Sequence, residues 1–165
     1  MNRSRAIIKY KQKLMSKIVN NKAVIGLVDK EYINMADELI GKNLFNYIRI
    51  PNTEEEEKTY ICLEIDIPEV YSDGNYMFGK LEIIIYIITH QNLMDTNQGA
   101  LRTDLISAYI DEMFNQKKIV GLKPLDLICN VSGAVTGTTY HRCRIMKFYG
   151  EDWTLDKCND SEAED

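Results

Sequence analysis

The periodicities along the chain predict an α+β fold: a mixed, mostly antiparallel sheet of about four to five strands with two main helices packed on it. Three observations lead there. Apolar residues recur at helical spacing over residues 4–20 and again over 99–116. Elsewhere the apolar runs either alternate with polar residues or are dense in isoleucine, as strands are. Their order (helix, three strands, helix, two strands) lacks the regular strand–helix alternation of a parallel sheet.

In the first helix Ile7, Ile8, Leu14, Met15, Ile18 and Val19 form an apolar stripe with lysines between them. Asn20-Asn21 should end it, because Asn tolerates the left-handed cap conformation. Residues 24–28 are a short apolar piece, and 29–39 offer another turn of helix before Gly41. Residues 44–50 then read as a strand stopped by Pro51. The acidic stretch 51–58 cannot be core and reads as a solvated loop or hairpin tip.

Residues 59–67 alternate, with Ile61, Leu63, Ile65 and Ile67 on one face and Tyr60, Cys62, Glu64 and Asp66 on the other. Pro68 should end that strand, leaving 68–80 as a loop around the turn signal Ser72-Asp73-Gly74-Asn75. Residues 81–89 are so rich in isoleucine that a central strand covered on both faces is expected, antiparallel to 59–67. A polar loop over 90–99 leads to the second helix, whose inner stripe is Leu101, Leu105, Ile106, Tyr109, Ile110, Met113 and Phe114. Lys117-Lys118 suit its C-terminal dipole, and Gly121 and Pro124 break the chain. Residues 125–131 and 139–148 read as two further strands joined through 132–137, and a strand–helix–strand unit over 81–131 permits one parallel crossover. No internal repeat or domain boundary is visible. The expectation is one domain over 1–153, followed by an acidic, flexible stretch over 154–165.

Composition narrows the functional classes. With 45% apolar and 27% charged residues in 165, the chain has the balance of a soluble globular protein, and its longest apolar run, residues 83–88, cannot span a bilayer. No secretory signal is apparent. Cys62, Cys129, Cys143 and Cys158 are widely spaced, which suggests reduced thiols rather than a metal site or a disulfide framework. The net charge of −5 is uneven: residues 1–22 carry Arg3, Arg5, Lys9, Lys11, Lys13, Lys17 and Lys22 with no acid, whereas 151–165 are strongly acidic. A net negative chain with no aromatics among its basic residues is a poor candidate for free nucleic-acid binding.

Catalytic motifs are scarce. There is no GxSxG element and no glycine-rich phosphate loop, and His90 and His141 are the only histidines. Asp66 and Glu82, on neighbouring strands, could hold Mg²⁺ in a metal-dependent nuclease, but the acid-x-Lys element is missing and solvent-facing acids are the simpler reading. His90, Arg102 and Asp104 form a suggestive set, a site or switch in one reading and a structural ion pair anchoring the helix start in the simpler one. Arg102 and Asp104 are two apart and do not share a helix face, so one of them could pair with a strand end.

The order of these features resembles the small neck proteins of tailed bacteriophages, particularly the tail-terminator type. The residues that carry the resemblance are Leu39-Ile40-Gly41-Lys42-Asn43-Leu44-Phe45, Ile48-Arg49-Ile50-Pro51, the strand from Tyr60 to Ile67, Arg102-Thr103-Asp104-Leu105 and Tyr140-His141-Arg142-Cys143-Arg144 with Phe148. The resemblance implies a virion subunit that closes into a ring, commonly a hexamer, on the end of the tail tube. Its partners would be itself, the tube and sheath subunits, and the head–tail connector, with DNA only passing through the lumen and no membrane involved. It implies no catalysis and no cofactor. A head-closure ring, either stopper or adaptor, is the neighbouring alternative. Charge matching then suggests that the basic helix, with Arg3, Arg5, Lys9, Lys13 and Lys17, meets an acidic region of the neighbouring subunit or, alternatively, faces the duplex. Loop 51–58 with Glu54, Glu55, Glu56 and Glu57 and loop 68–80 with Tyr71, Tyr76, Met77 and Phe78 would reach other ring layers.

Overall fold

The computed structural model describes residues 3–51, 56–73, 76–135 and 139–155. Helix α1 (Arg3–Val19) opens the chain and turns Ala6, Tyr10, Leu14, Met15, Ile18 and Val19 inward. Asn21 does not take the left-handed conformation. Its backbone is extended, and its side chain accepts from the amides of Ala23 and Val24 at 3.0 and 3.1 Å. The residue expected to close one helix is therefore the N-cap of the next, α2 (Lys22–Val28). Two 3₁₀ turns, Lys30–Tyr32 and Ala36–Leu39, lead to β1 (Leu44–Phe45). Then come β2 (Thr59–Asp73), β3 (Tyr76–His90), α3 (Arg102–Phe114), β4 (Asp126–Ala134) and β5 (His141–Leu155).

The strands form one sheet in the order β1-β2-β3-β5-β4. β2–β3, β3–β5 and β5–β4 are antiparallel, and only β1 pairs in parallel, with β2. β3 and β4 run the same way, as the strand–helix–strand reading requires, but β5 lies between them. The mixed, mostly antiparallel α+β prediction is met, with α2 as a third, short helix.

Helices α1, α2 and α3 cover one face of the sheet. There Ile61, Leu63, Ile65, Leu81, Ile83, Ile85, Ile87, Met146 and Phe148 meet the inward stripes of the helices in a single apolar core. The Phe114 and Phe148 rings meet edge-on at 5.9 Å. Gly121 lets the chain return to β4. Its φ of +70° is left-handed, and a Cβ there would lie 2.5 Å from the Glu151 carbonyl oxygen.

Several sequence expectations are corrected. Residues 68–73 and 76–80 are strand rather than loop, β2 running to Asp73 and β3 starting at Tyr76; Gly74 and Asn75 of the expected turn lie outside the described residues. Pro68 sits in a bulge between Asp66 and Glu69. Proline is tolerated there because β1 pairs only with Ile61 and Cys62, which leaves the rest of β2 at the sheet edge. Residues 44–50 are a strand only over Leu44–Phe45, after which the chain crosses the sheet face. β5 likewise runs past Phe148 to Leu155. β3 is central but not covered on both faces, because the helices pack on one side and leave Glu82, Ile84 and Tyr86 partly exposed.

Candidate functional site

The helix-free face of the sheet is closed at one end. Phe45, Tyr60, Cys62, Ile88 and Cys143 form a small second core there. Arg49 lies over the Phe45 and Tyr60 rings at 4.9 and 5.8 Å and reaches the Glu56 carboxylate at 4.0 Å. Burial pushes the Cys143 thiol up to about 11, and burial also raises that of Cys62, so both are poor nucleophiles. Cys62, Cys129 and Cys143 are free thiols, as expected, and Cys158 lies outside the described residues.

The described acids of the acidic loop, Glu56 and Glu57, are engaged within their own chain. Glu56 also pairs with Lys58 at 3.2 Å. Burial works to raise its carboxyl, but Tyr60, Lys58 and Arg49 outweigh that and hold it below its ordinary value. The Tyr60 hydroxyl is pushed up in turn by burial and by Glu56. Glu57 accepts from the Asn92 side chain at 2.6 Å. Glu54 and Glu55 lie outside the described residues. His141 stands against the Glu56 carbonyl at 3.2 Å and edge-on to His90 at 5.1 Å. Burial lowers the His141 pKa, and the His90 side chain caps the following turn by accepting from the Asn92 amide. These histidines pin the closed end of the sheet.

The basic helix has the opposite character. Arg5, Lys9, Lys13 and Lys17 point to solvent, and none pairs with a carboxylate among the described residues. The Arg3 side chain lies outside them. Lys11 is used structurally, donating to the Asn46 carbonyl at 2.7 Å. Tyr10 donates to the buried Asp152 carboxylate on β5, and burial followed by that carboxylate raises its hydroxyl pKa.

The residues predicted in a loop after Pro68 stand instead on a three-stranded arm, where β2 and β5 both pair with the start of β3. Tyr71 and Phe78 face each other across it, rings stacked at 5.6 Å, and the side chains of Tyr76 and Met77 lie outside the described residues. The outer edges of β4 and of β2 beyond Cys62 have no strand neighbour among the described residues.

Arg102 and Asp104 do not pair with each other, because two residues apart on α3 they point to different sides of the helix and reach different partners. Arg102 donates to the carbonyls of Leu93, at 2.5 Å, and Leu27, which locks the loop and α2 onto the helix start. Asp104 instead meets Arg144 of β5 at 2.7 Å, and Arg144 also donates to Asn130 of β4. Asp66 and Glu82 stand directly opposite each other on the open face. The lysine missing from the local sequence arrives from β5: Lys147 lies 2.6 Å from Glu82. No three His, Cys, Asp or Glu side chains gather to hold a metal among the described residues. No helix among them is long and apolar enough to cross a membrane.

The fold is shared with a known particle protein. A chain in the structure of the virion of a native gene transfer agent particle matches with a TM-score of 0.59 at 14% identity, over 86% of this chain and 92% of that one. At that identity the likeness shows the fold. No curated protein matches. At the level of sequence, the YomW family model matches residues 7–149, which span α2, α3, most of α1 and most of the sheet, and the chain belongs to the YomW family.

Proposed function

We propose that this chain is a structural subunit of a tailed-phage or phage-like particle. In this reading it closes into a ring, a hexamer by its resemblance to tail terminators, that caps the tail tube and joins the tail to the head-side connector. The observation that carries the proposal is the fold shared almost end to end with a chain of a gene transfer agent virion. Membership over residues 7–149 of one family means that the helix layer and most of the sheet are the inherited unit. Residues 1–153 act as that unit, with the acidic stretch 154–165 beyond it.

The molecule has what a head-to-tail ring needs: two unlike edges, β4 and the outer part of β2, and a projecting arm bearing Tyr71 and Phe78. Arg3, Arg5 and Lys9 face an acidic surface of the neighbour, Glu54 and Glu55 extend the contact, and Tyr76 and Met77 at the arm's end meet an adjoining layer. Its work is assembly, without catalysis or cofactor. It sits in the neck of the particle, which is put together in the bacterial cytoplasm, with DNA only passing through the lumen.

The test is the mass of the purified protein in solution, alone and after mixing with tail tubes. Ring-sized particles that decorate one tube end are expected, and high salt should weaken them. A monomer at all concentrations that ignores tubes overturns the reading, and decoration of head connectors instead of tubes moves the ring to the head-closure layer.

A further inference from the structure

A concavity of about 1150 Å³ opens between the C-terminal half of α1, the start of α2 and the segment after α3. Its lining includes Lys13, Lys17, Lys22, Lys117 and Lys118 and contains no acid. None of these five lysines has a carboxylate partner among the described residues. Five like charges around one cleft repel each other and lower the cost of bringing in an anion, so the cleft selects a polyanion. No aromatic lines it on which a base could stack, and the chain as a whole carries −5, which disfavours a nucleic acid. An acidic peptide meets both conditions.

The chain contains such a peptide. Asp156, Asp160, Glu162, Glu164 and Asp165 set five carboxylates against the single Lys157. The strand that leads into it is tied to the elements that line the cleft, through Glu151 and Asp152 a few residues before Leu155. Tyr10, one turn before Lys13, bonds Asp152, while the Leu122 amide donates to the Glu151 carbonyl at 2.7 Å and Lys123 pairs with the Glu151 carboxylate at 2.6 Å. From Leu155 a stretch of ten residues can reach about 33 Å, enough to cross the cleft. The other acidic segment is a weaker candidate, because Glu56 and Glu57 already have partners.

We infer that the lysine cleft is the docking site of the chain's own acidic segment 156–165, which lies across it and neutralises it. This goes beyond the ring reading and narrows it, because Lys13 and Lys17 are then occupied within the subunit and only Arg3, Arg5 and Lys9 remain for a neighbour.

The test is zero-length carbodiimide crosslinking of the full chain, without tubes, using an equal mixture of ¹⁴N- and ¹⁵N-labelled protein and peptide mapping by mass spectrometry. Crosslinks from the carboxylates of 156–165 should fall on the five cleft lysines in preference to Lys9, Lys42 and Lys80, and should join peptides of the same isotope. Their yield should drop about fivefold or more in about 0.5 M salt, where the screening length is about 4 Å. The crosslink to Lys22, the cleft lysine that keeps its amine, should fall likewise in the full-length variant Lys13→Gln/Lys17→Gln/Lys117→Gln/Lys118→Gln, whose substitutions are all at exposed positions. Crosslinks spread evenly over surface lysines, or none at all, overturn the inference. Mixed-isotope crosslinks to the cleft also overturn it and return Lys13 and Lys17 to the subunit contact. Tight binding of a short DNA duplex to the unmodified chain that depends on these lysines would assign the cleft to nucleic acid. None of these readouts requires tail tubes, so the ring reading can fail while this one stands.

Discussion

The face of the sheet that receives the helices buries Ile61, Leu63, Ile83, Ile85, Met146 and Phe148 completely, whereas the other face of the same strands carries Glu64, Asp66, Glu82 and Lys147 and is closed only around Tyr60 and Cys62. One face is held by continuous apolar contact. The other is held at one end by a few polar anchors: Arg49, Glu56, Lys58 and His141. The difference teaches where stability and assembly can be separated. Substitutions on the first face unfold the protein, and those on the open part of the second leave it folded and available for interface work.

The largest effect is expected from Ile83→Ala, which should remove about 2–5 kcal/mol in denaturant unfolding, while Ile84→Ala beside it costs under about 1 kcal/mol. Equal losses at the two positions would erase the distinction between the faces. Arg49→Ala comes next. It strips the cation from the Phe45 and Tyr60 rings and from Glu56, and should cost about 1–2 kcal/mol by the same measurement.

Acidification should act through the closed end as well. Burial lowers the folded-state pKa of His141 below its ordinary 6.5, so the unfolded chain binds the proton first. The stability from the neutral ring is complete above about pH 6.5 and is lost as pH falls through the folded value. Melting temperatures between pH 7.5 and 5.5 should therefore decline, and His141→Gln should flatten that decline. The smallest effect belongs to Asp104→Ala. Its pair with Arg144 is partly exposed and is worth about 0.2–1 kcal/mol in a urea titration.

The elements that were legible in the sequence are those whose local pattern and tertiary environment agree. Leu14, Met15, Ile18 and Val19 of α1, Ile83, Ile85 and Ile87 of β3 and the inward set Ile106, Ile110 and Phe114 of α3 could be assigned from spacing, because each faces one continuous apolar layer. Ile8, placed in the α1 stripe by its spacing, is instead exposed. The arm could not be. Pro68 reads locally as a stop, and only the shortness of β1 makes β2 an edge strand that tolerates it at a bulge. Burial of Tyr60 and Cys62 was equally hidden, since their cover comes from the chain crossing back after Phe45. Among the site residues, the basic character of α1 was visible. Missing from the sequence reading were the partners Arg144 for Asp104 and Lys147 for Glu82, and the contribution of Lys117 and Lys118 to the same cleft as Lys13 and Lys17. In each case the meeting residues lie on different elements.

What the sequence determined alone was the α+β class, the apolar stripes and the separation of charge between its two ends, because these follow from residue spacing and from counting ionisable groups. Which carboxylates are spent inside the fold and which lysines are left without partners was decided only by tertiary structure. Ion pairing depends on separations of a few ångströms between side chains far apart along the chain, and only the packing of helices on the sheet sets those separations.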